Sequence, residues 1–272
     1  MARNLFCFSL LCCFTLAINL PVFAQQQGLF VEPKLPNTKG INPFNYDNKI
    51  FVEDKTYIYD YFIVKGKDTL QYAIVSQADG TKSWHYVPKK QHDSTTVTYL
   101  GIKTLGKSGP IMMENPDYKQ TELFLYHYNA DFKPLDTELT GVIENKVNIW
   151  VHPFRFHALE ILQLAPFPYV KLPLKTGQTY DWNLEIGEKW PEFKAFDWKG
   201  KLTLQCKYVV QGQETLSLPV GTVQTIKIQG IANTTSGRSS LVSYFNQQYG
   251  FVKMIYHNLD GSNITITLKD IK

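Results

Sequence analysis

The sequence predicts an all-β protein: an antiparallel meander forming a curved sheet, half-barrel or barrel, with at most one or two short helices. Three observations predict it. Short segments alternate apolar and polar residues at period two, the signature of strands with one face on a core. Those segments are rich in β-branched and aromatic residues. Gly, Asn, Asp and Pro punctuate them at short intervals, as turns in a meander require.

Taken in order, residues 1–24 stand apart from the fold. Arg3 gives a positive start, Leu5 to Leu20 is almost continuously apolar, and Val22-Phe23-Ala24 precedes Gln25-Gln26-Gln27. This is the pattern of a secretory signal peptide cleaved after Ala24. A membrane anchor and a lipoprotein signal at Cys12 or Cys13 rank below it. Leu10-Leu11 stands where a small residue would precede an acylated cysteine, and the apolar run continues past both. Export is therefore expected, to the periplasm or the extracellular space. Residues 25–50 hold Pro33, Pro36, Gly40 and Pro43 among few apolar positions and read as an extended N-terminal arm. Residues 51–272 are expected to form a single all-β domain.

Strand signals begin at Phe51 and intensify over residues 57–64. Residues 65–68 make a turn into a return strand over 69–75, and Asp79-Gly80 a hairpin into 83–87. Residues 95–102 and 121–128 continue the series. The polar run from Asn129 to Lys146 reads as a loop, and 147–152 as a strand. Residues 156–164 suit a short helix or a strand, ended by Pro166 and Pro168. A strand is expected over 179–186 and a loop over 187–200.

The C-terminal third is the clearest. Leu202, Leu204, Cys206, Tyr208 and Val210 share one face of a strand, while Lys201, Thr203, Gln205 and Lys207 share the other. Ile264, Ile266 and Leu268 alternate in the same way with Thr265, Thr267 and Lys269. Asp260-Gly261 signals a type I′ hairpin turn before that last strand.

After cleavage Cys206 alone remains of four cysteines, so burial and not a disulfide must hold the mature chain together. On the apolar face of its strand Cys206 reads as a small buried hydrophobe. Across the whole chain 28 basic residues face 24 acidic ones without a concentrated patch, so no nucleic-acid partner is expected. No segment of the mature chain is apolar and long enough to span a bilayer as a helix.

No G-x-S-x-G elbow, phosphate loop or dinucleotide fingerprint occurs. His152, His157 and Glu160 form the one histidine cluster. Pro153 separates the first from the other two, and the spacing matches no tetrahedral metal motif. No catalytic residue, metal or cofactor is assigned.

The candidate binding residues are Tyr180, Trp182, Trp190 and Trp198, in an aromatic stretch interleaved with Glu185, Glu188, Glu192 and Asp197. Such rings stack on sugars when exposed. The simpler reading is that they bury large area closing the end of a barrel or the joint between sheets.

Leu218-Pro-Val-Gly-Thr222, Tyr244-Phe245 and Tyr249-Gly-Phe-Val-Lys253, with Pro173-Leu-Lys-Thr-Gly177 ahead of Tyr180-Asp-Trp182, carry a resemblance. Over residues 165–271 the chain is similar to uncharacterised secreted bacterial β-proteins likened to the half-barrel of the lipoprotein carriers LolA and LolB. The resemblance implies a concave apolar face and transfers no catalytic residue. The expected function is that of an exported non-catalytic protein binding a hydrophobic or lipidic ligand, or an envelope partner, in that face. The alternative is a carbohydrate-binding module using residues 182–198, followed by a Glu/Asp hydrolase relying on Glu185, Glu188 and Glu192.

Overall fold

The computed structural model describes residues 48–106, 109–114, 118, 120–187 and 198–272. The expected signal peptide and residues 25–47 of the arm lie outside them.

Fifteen strands account for most of the described chain: β1 (Thr56–Lys65), β2 (Asp68–Ser76), β3 (Lys82–Pro88), β4 (Thr96–Val97), β5 (Tyr99–Gly106), β6 (Thr121–Tyr128), β7 (Pro134–Glu144), β8 (Asn148–Val151), β9 (Tyr169–Lys171), β10 (Thr179–Gly187), β11 (Lys201–Leu218), β12 (Gly221–Thr234), β13 (Gly237–Asn246), β14 (Gly250–His257) and β15 (Asn263–Ile271). A short helix α1 (Pro110–Glu114) follows β5, and a 3-10 helix spans His157–Leu164.

The main path runs β10-β11-β12-β13-β14-β15-β1-β5-β6-β7-β8-β9. These twelve antiparallel strands curl into a nearly closed barrel, as the fold class predicts. β15 returns to β1, so the C-terminal meander and the N-terminal strands join by the ladder Tyr57↔Ile271 to Val64↔Asn263. β2 leaves the wall at the end of β1, pairing Ile63↔Leu70, and carries β3 and β4 outside the main path.

The alternation read in β11 is the alternation observed. Leu202, Leu204, Cys206, Tyr208 and Val210 are buried, and the intervening lysines, Thr203 and Gln205 are exposed. Ile264, Ile266 and Leu268 of β15 likewise enter the core. One hydrophobic cluster runs from Ile50 to Leu268 and fills the barrel.

Three local expectations need correction. Residues 134–144, expected within a loop, form β7. Its inward residues Glu138 and Thr140 are polar and its outward Leu139 apolar, so the usual strand pattern is absent from the sequence. Phe51 opens no strand: β1 starts at Thr56, and Ile50 and Phe51 are buried in the core. The backbone N–H groups of Lys49, Ile50 and Phe51 all donate to the buried Glu144 carboxylate at 2.9 Å, so the end of the arm is pinned to β7. Asp260-Gly261 does not make a two-residue turn. Residues 258–262 bridge the strands, the Asn258 N–H donates to the Ser262 carbonyl, and only Gly261 of the pair has positive φ (+78°). Asp260 instead caps the loop, its carboxylate accepting from the Ser262 N–H and hydroxyl.

Candidate functional site

Strand pairing makes the barrel concave, and a chain segment occupies the concavity. From Val151 to Pro168 the backbone crosses the interior, with Phe154, Leu159, Ile161, Leu162, Leu164 and Phe167 buried against the wall. Residues 156–164, left open between helix and strand by their sequence, are this strap's 3-10 helix. A segment without sheet partners must satisfy its backbone elsewhere. Ser239 Oγ donates to the Leu164 carbonyl (2.7 Å) and the Tyr208 hydroxyl to the Phe167 carbonyl (3.0 Å). Pro166 lies directly over Gly230. A Cβ at that glycine would come within 2.9 Å of both Pro166 Cβ and the Tyr208 ring, so a bare backbone lets the strap reach the wall.

The near end of the strap is held by Glu138 of β7. Its carboxylate accepts from the backbone N–H of Arg155 (3.2 and 3.3 Å) and of Phe156 (3.3 Å), and His127 Nε2 lies 2.7 Å from Oε1. The Tyr72 hydroxyl bonds the other imidazole nitrogen, Nδ1. With Nε2–H donating to the carboxylate, Nδ1 accepts the phenol proton. This Tyr–His–Glu series has the form of a proton relay. All three side chains are buried, however, and Tyr72 and His127 have no accessible surface. The series ties β2, β6 and β7 to the strap. Burial pulls the Arg155 guanidinium below its ordinary value and Glu138, 3.9 Å from Nε, opposes the shift.

Nearer the surface, His157 Nε2 sits 2.7 Å from Asp136 Oδ2, and Lys82 Nζ 2.7 Å from Asp136 Oδ1. Burial alone would raise the Asp136 carboxyl. The hydrogen bonds from His157 and Lys82 outweigh it and hold the group well below the usual carboxylate range. His152 has gone elsewhere: its ring packs on Trp150 (4.5 Å) and Phe167 (5.4 Å), and burial with Arg155 nearby holds it well below its ordinary value. His152 and His157 thus serve different neighbours, and among the described residues no three His, Cys, Asp or Glu side chains are placed to hold a metal ion.

The two ends of the sheet meet at β9 and β10. Among the described residues no backbone ladder joins them. Side chains close the gap instead. The Tyr180 hydroxyl donates to the Tyr169 carbonyl (2.7 Å) and Gln178 Nε2 to the Lys171 carbonyl (3.2 Å). Trp182 lies edge-on to Trp150 (5.5 Å, 82°) and against Phe167 (5.5 Å), while Tyr180 stacks on Tyr208 (5.1 Å, 10°). Tyr180 and Trp182 are each 6% exposed, which makes them part of the seal. Trp198 is half-buried against the same core, and its indole N–H finds no acceptor among the described residues. Trp190, with Glu188, Glu192 and Asp197, lies outside the described residues. Glu185 faces outward and pairs with Lys201 (2.9 Å). Behind the seam, burial pushes the Cys206 thiol up to about 12, which keeps it protonated and unreactive.

A pocket of about 10 Å³ lies where the strap meets β1, β14 and β15, lined by Phe51, Tyr59, His152, Phe154, Met254 and Tyr256. That is room for about one water molecule.

No protein-family model matches the chain, and no curated protein matches it. Several solved structures are similar to it in fold. A candidate exported protein with a YmcC-like fold from Bacteroides fragilis shares 11% identity at a TM-score of 0.41, covering 85% of this chain and 99% of that one. A candidate lipoprotein from Parabacteroides distasonis shares 8% identity at a TM-score of 0.43, with the same coverage. The hypothetical lipoprotein YmcC from Escherichia coli shares 11% at a TM-score of 0.33, covering 82% of this chain and 90% of that one.

Proposed function

We propose that this chain is an exported, non-catalytic barrel protein that takes a hydrophobic or lipidic ligand into its interior through the seam between β9 and β10. One observation carries the reading: the wall is hydrogen-bonded strand to strand along the main path, whereas this joint is closed by aromatic side chains and two side-chain hydrogen bonds. Parting a ladder breaks a row of backbone bonds, each leaving a donor and an acceptor to be satisfied. Parting the seam requires rotation of Tyr180 and Trp182 about their side-chain bonds. The pocket where the strap meets β1, β14 and β15 holds about 10 Å³, so in this reading a ligand enters as those rings and the strap behind them move aside. In this reading Tyr180 and Trp182 form the gate, with Trp198 and Trp190 following in the chain. The supports for export are the leader-like residues 1–24, and for an apolar ligand the resemblance of residues 165–271 to the carrier half-barrels.

No observation favours the carbohydrate reading, which needs exposed rings, because Tyr180 and Trp182 are buried against other rings. The hydrolase reading has Glu185 engaged with Lys201 and facing away from the interior.

Native mass spectrometry of residues 25–272, purified gently after export and then solvent-extracted, tests the proposal. The expected result is a stoichiometric apolar adduct lost on extraction, with tryptophan emission changing as it leaves. A bare protein mass from every host, together with no uptake of a long-chain fatty acid probe, overturns it.

A further inference from the structure

β11 and β12 are longer than the barrel needs. β10 accompanies β11 only from Lys201 to Val209, and β13 accompanies β12 only from Ile226 onward. The β11–β12 ladder continues past both, through Glu214↔Thr225 to Leu218↔Gly221, where Pro219-Val220 turns the chain. Some eight residues of β11 therefore stand beyond β10 as one strand of a ribbon about 25 Å long.

The ribbon leaves an open strand edge. The Glu214 carbonyl accepts from Thr225 Oγ1 (2.6 Å) and so points toward β12. In an antiparallel pair the direction alternates, so the backbone N–H and C=O groups of Gln213, Thr215 and Ser217 point to the outer side. Among the described residues no strand lies there. Thr176 approaches only at the base, near Gly212.

Exposed edges are ordinarily blunted by charge, proline or cover, and two other edges of this fold are. β3 begins with Lys82, which is tied to Leu135 and Asp136, ends at Pro88, and has the 3-10 helix beside it. On the far side of the ribbon, Asn246 Nδ2 covers the Gln224 carbonyl of β12 (2.8 Å). Among the described residues β11 carries no such device over Gln213–Leu218. Its single charge, Glu214, is neutralised within the ribbon by Lys227 at 3.5 Å. Leu216, Leu218 and Val220 are half-buried and pack against the core, which anchors one face of the ribbon.

We propose that this edge pairs with the same edge of a second copy of the chain, joining two ribbons in one continuous antiparallel sheet about a two-fold axis. An antiparallel edge is self-complementary under such an axis. With Thr215 on the axis, Gln213 faces Ser217 and Glu214 faces Leu216 across the pair. The two carboxylates do not oppose each other, and each keeps its lysine. A charged or proline-bearing edge would have forbidden this arrangement, whereas the neutral Gln, Thr and Ser side chains permit it.

Analytical ultracentrifugation of residues 25–272 over a concentration series, with two variants, tests the pairing. Wild type is expected to dimerise reversibly. Thr215→Lys sets two ammonium groups against each other at the axis, and Thr215→Pro removes an outward N–H. Each is expected to raise the dimer Kd about tenfold or more. Lysine at Ser83, on the edge of β3, should leave association unchanged. Melting temperature and far-UV circular dichroism separate loss of pairing from loss of fold, because Thr215 is exposed and outside the barrel. Wild type that stays monomeric throughout overturns the proposal, even if another protein co-purifies on the ribbon. So does a dimer that Thr215→Lys leaves intact.

Discussion

The wall around β1 and the seam between β9 and β10 close the same barrel by different means. At β1, ladders to β15 on one side and to β5 and β2 on the other fix every residue, and buried side chains such as Tyr59 and Tyr61 add apolar area. At the seam apolar burial does almost all the work. Rings at 5.1 to 5.6 Å replace the ladder, and the hydrogen bonds are made by the side chains of Tyr180 and Gln178. Ladder closure is cooperative along a strand, whereas ring packing is set residue by residue. The seam should accordingly be the part of the barrel that single substitutions open locally.

The largest effect is expected where the strap is tied between the two. Glu138→Leu takes the neighbouring carboxylate from the largely buried Arg155 guanidinium and the acceptor from the Arg155 and Phe156 backbone N–H groups, and should cost about 3–5 kcal/mol in urea unfolding. Glu138→Gln, which keeps an acceptor, should cost clearly less. Equal losses would show that charge compensation is unimportant there.

Trp182→Ala and Leu268→Ala set seam against wall. Both empty buried space and should cost about 2–5 kcal/mol. Hydrogen exchange distinguishes them. Trp182→Ala is expected to speed exchange in β9 and β10 while the amides of β1 and β15 keep the protection of global unfolding. Leu268→Ala should lower protection throughout, and the contrast fails if both variants give the same map.

Tyr180→Phe keeps the ring and removes the hydroxyl that donates to the Tyr169 carbonyl, so a loss of about 1 kcal/mol is expected. The smallest effect concerns acid. Asp136 titrates lower in the folded chain than in the unfolded one, so the stability it supplies is present above the ordinary carboxylate range and lost as the pH falls through its folded-state value. Asp136→Asn should flatten the acid limb of a stability–pH curve and leave its neutral region nearly level.

How much of this was legible depended on whether a residue's partner lay in its own strand pattern. β11 and β15 follow simple alternation because water lies on one side and an apolar core on the other. β7 was hidden because its inward Glu138 is satisfied by His127 and by the strap, contacts 11 and 17 residues away that no local window contains. Tyr72 reaches His127 across 55 residues. A histidine at 127 in phase with Leu123 and Leu125 was the available signal, and it has force only once the facing strand is known. The aromatic stretch before residue 187 was conspicuous in composition, but exposure decides between sealing and binding, and it is the folded β10 that puts Tyr180 and Trp182 on the buried side. The strap could not be inferred, since a chain lying across a barrel follows neither period.

The grip of Glu144 on the backbone of Lys49, Ile50 and Phe51 has a mechanical consequence. A tug on the chain upstream of Asn48 meets three short bonds to one carboxylate before it reaches the Tyr57–Ile50 hydrogen bond and the first strand. The load passes into β7, two strands in from the β9 end of the sheet, and not directly into the β9–β10 joint. The barrel can be towed by its leading end without being unzipped.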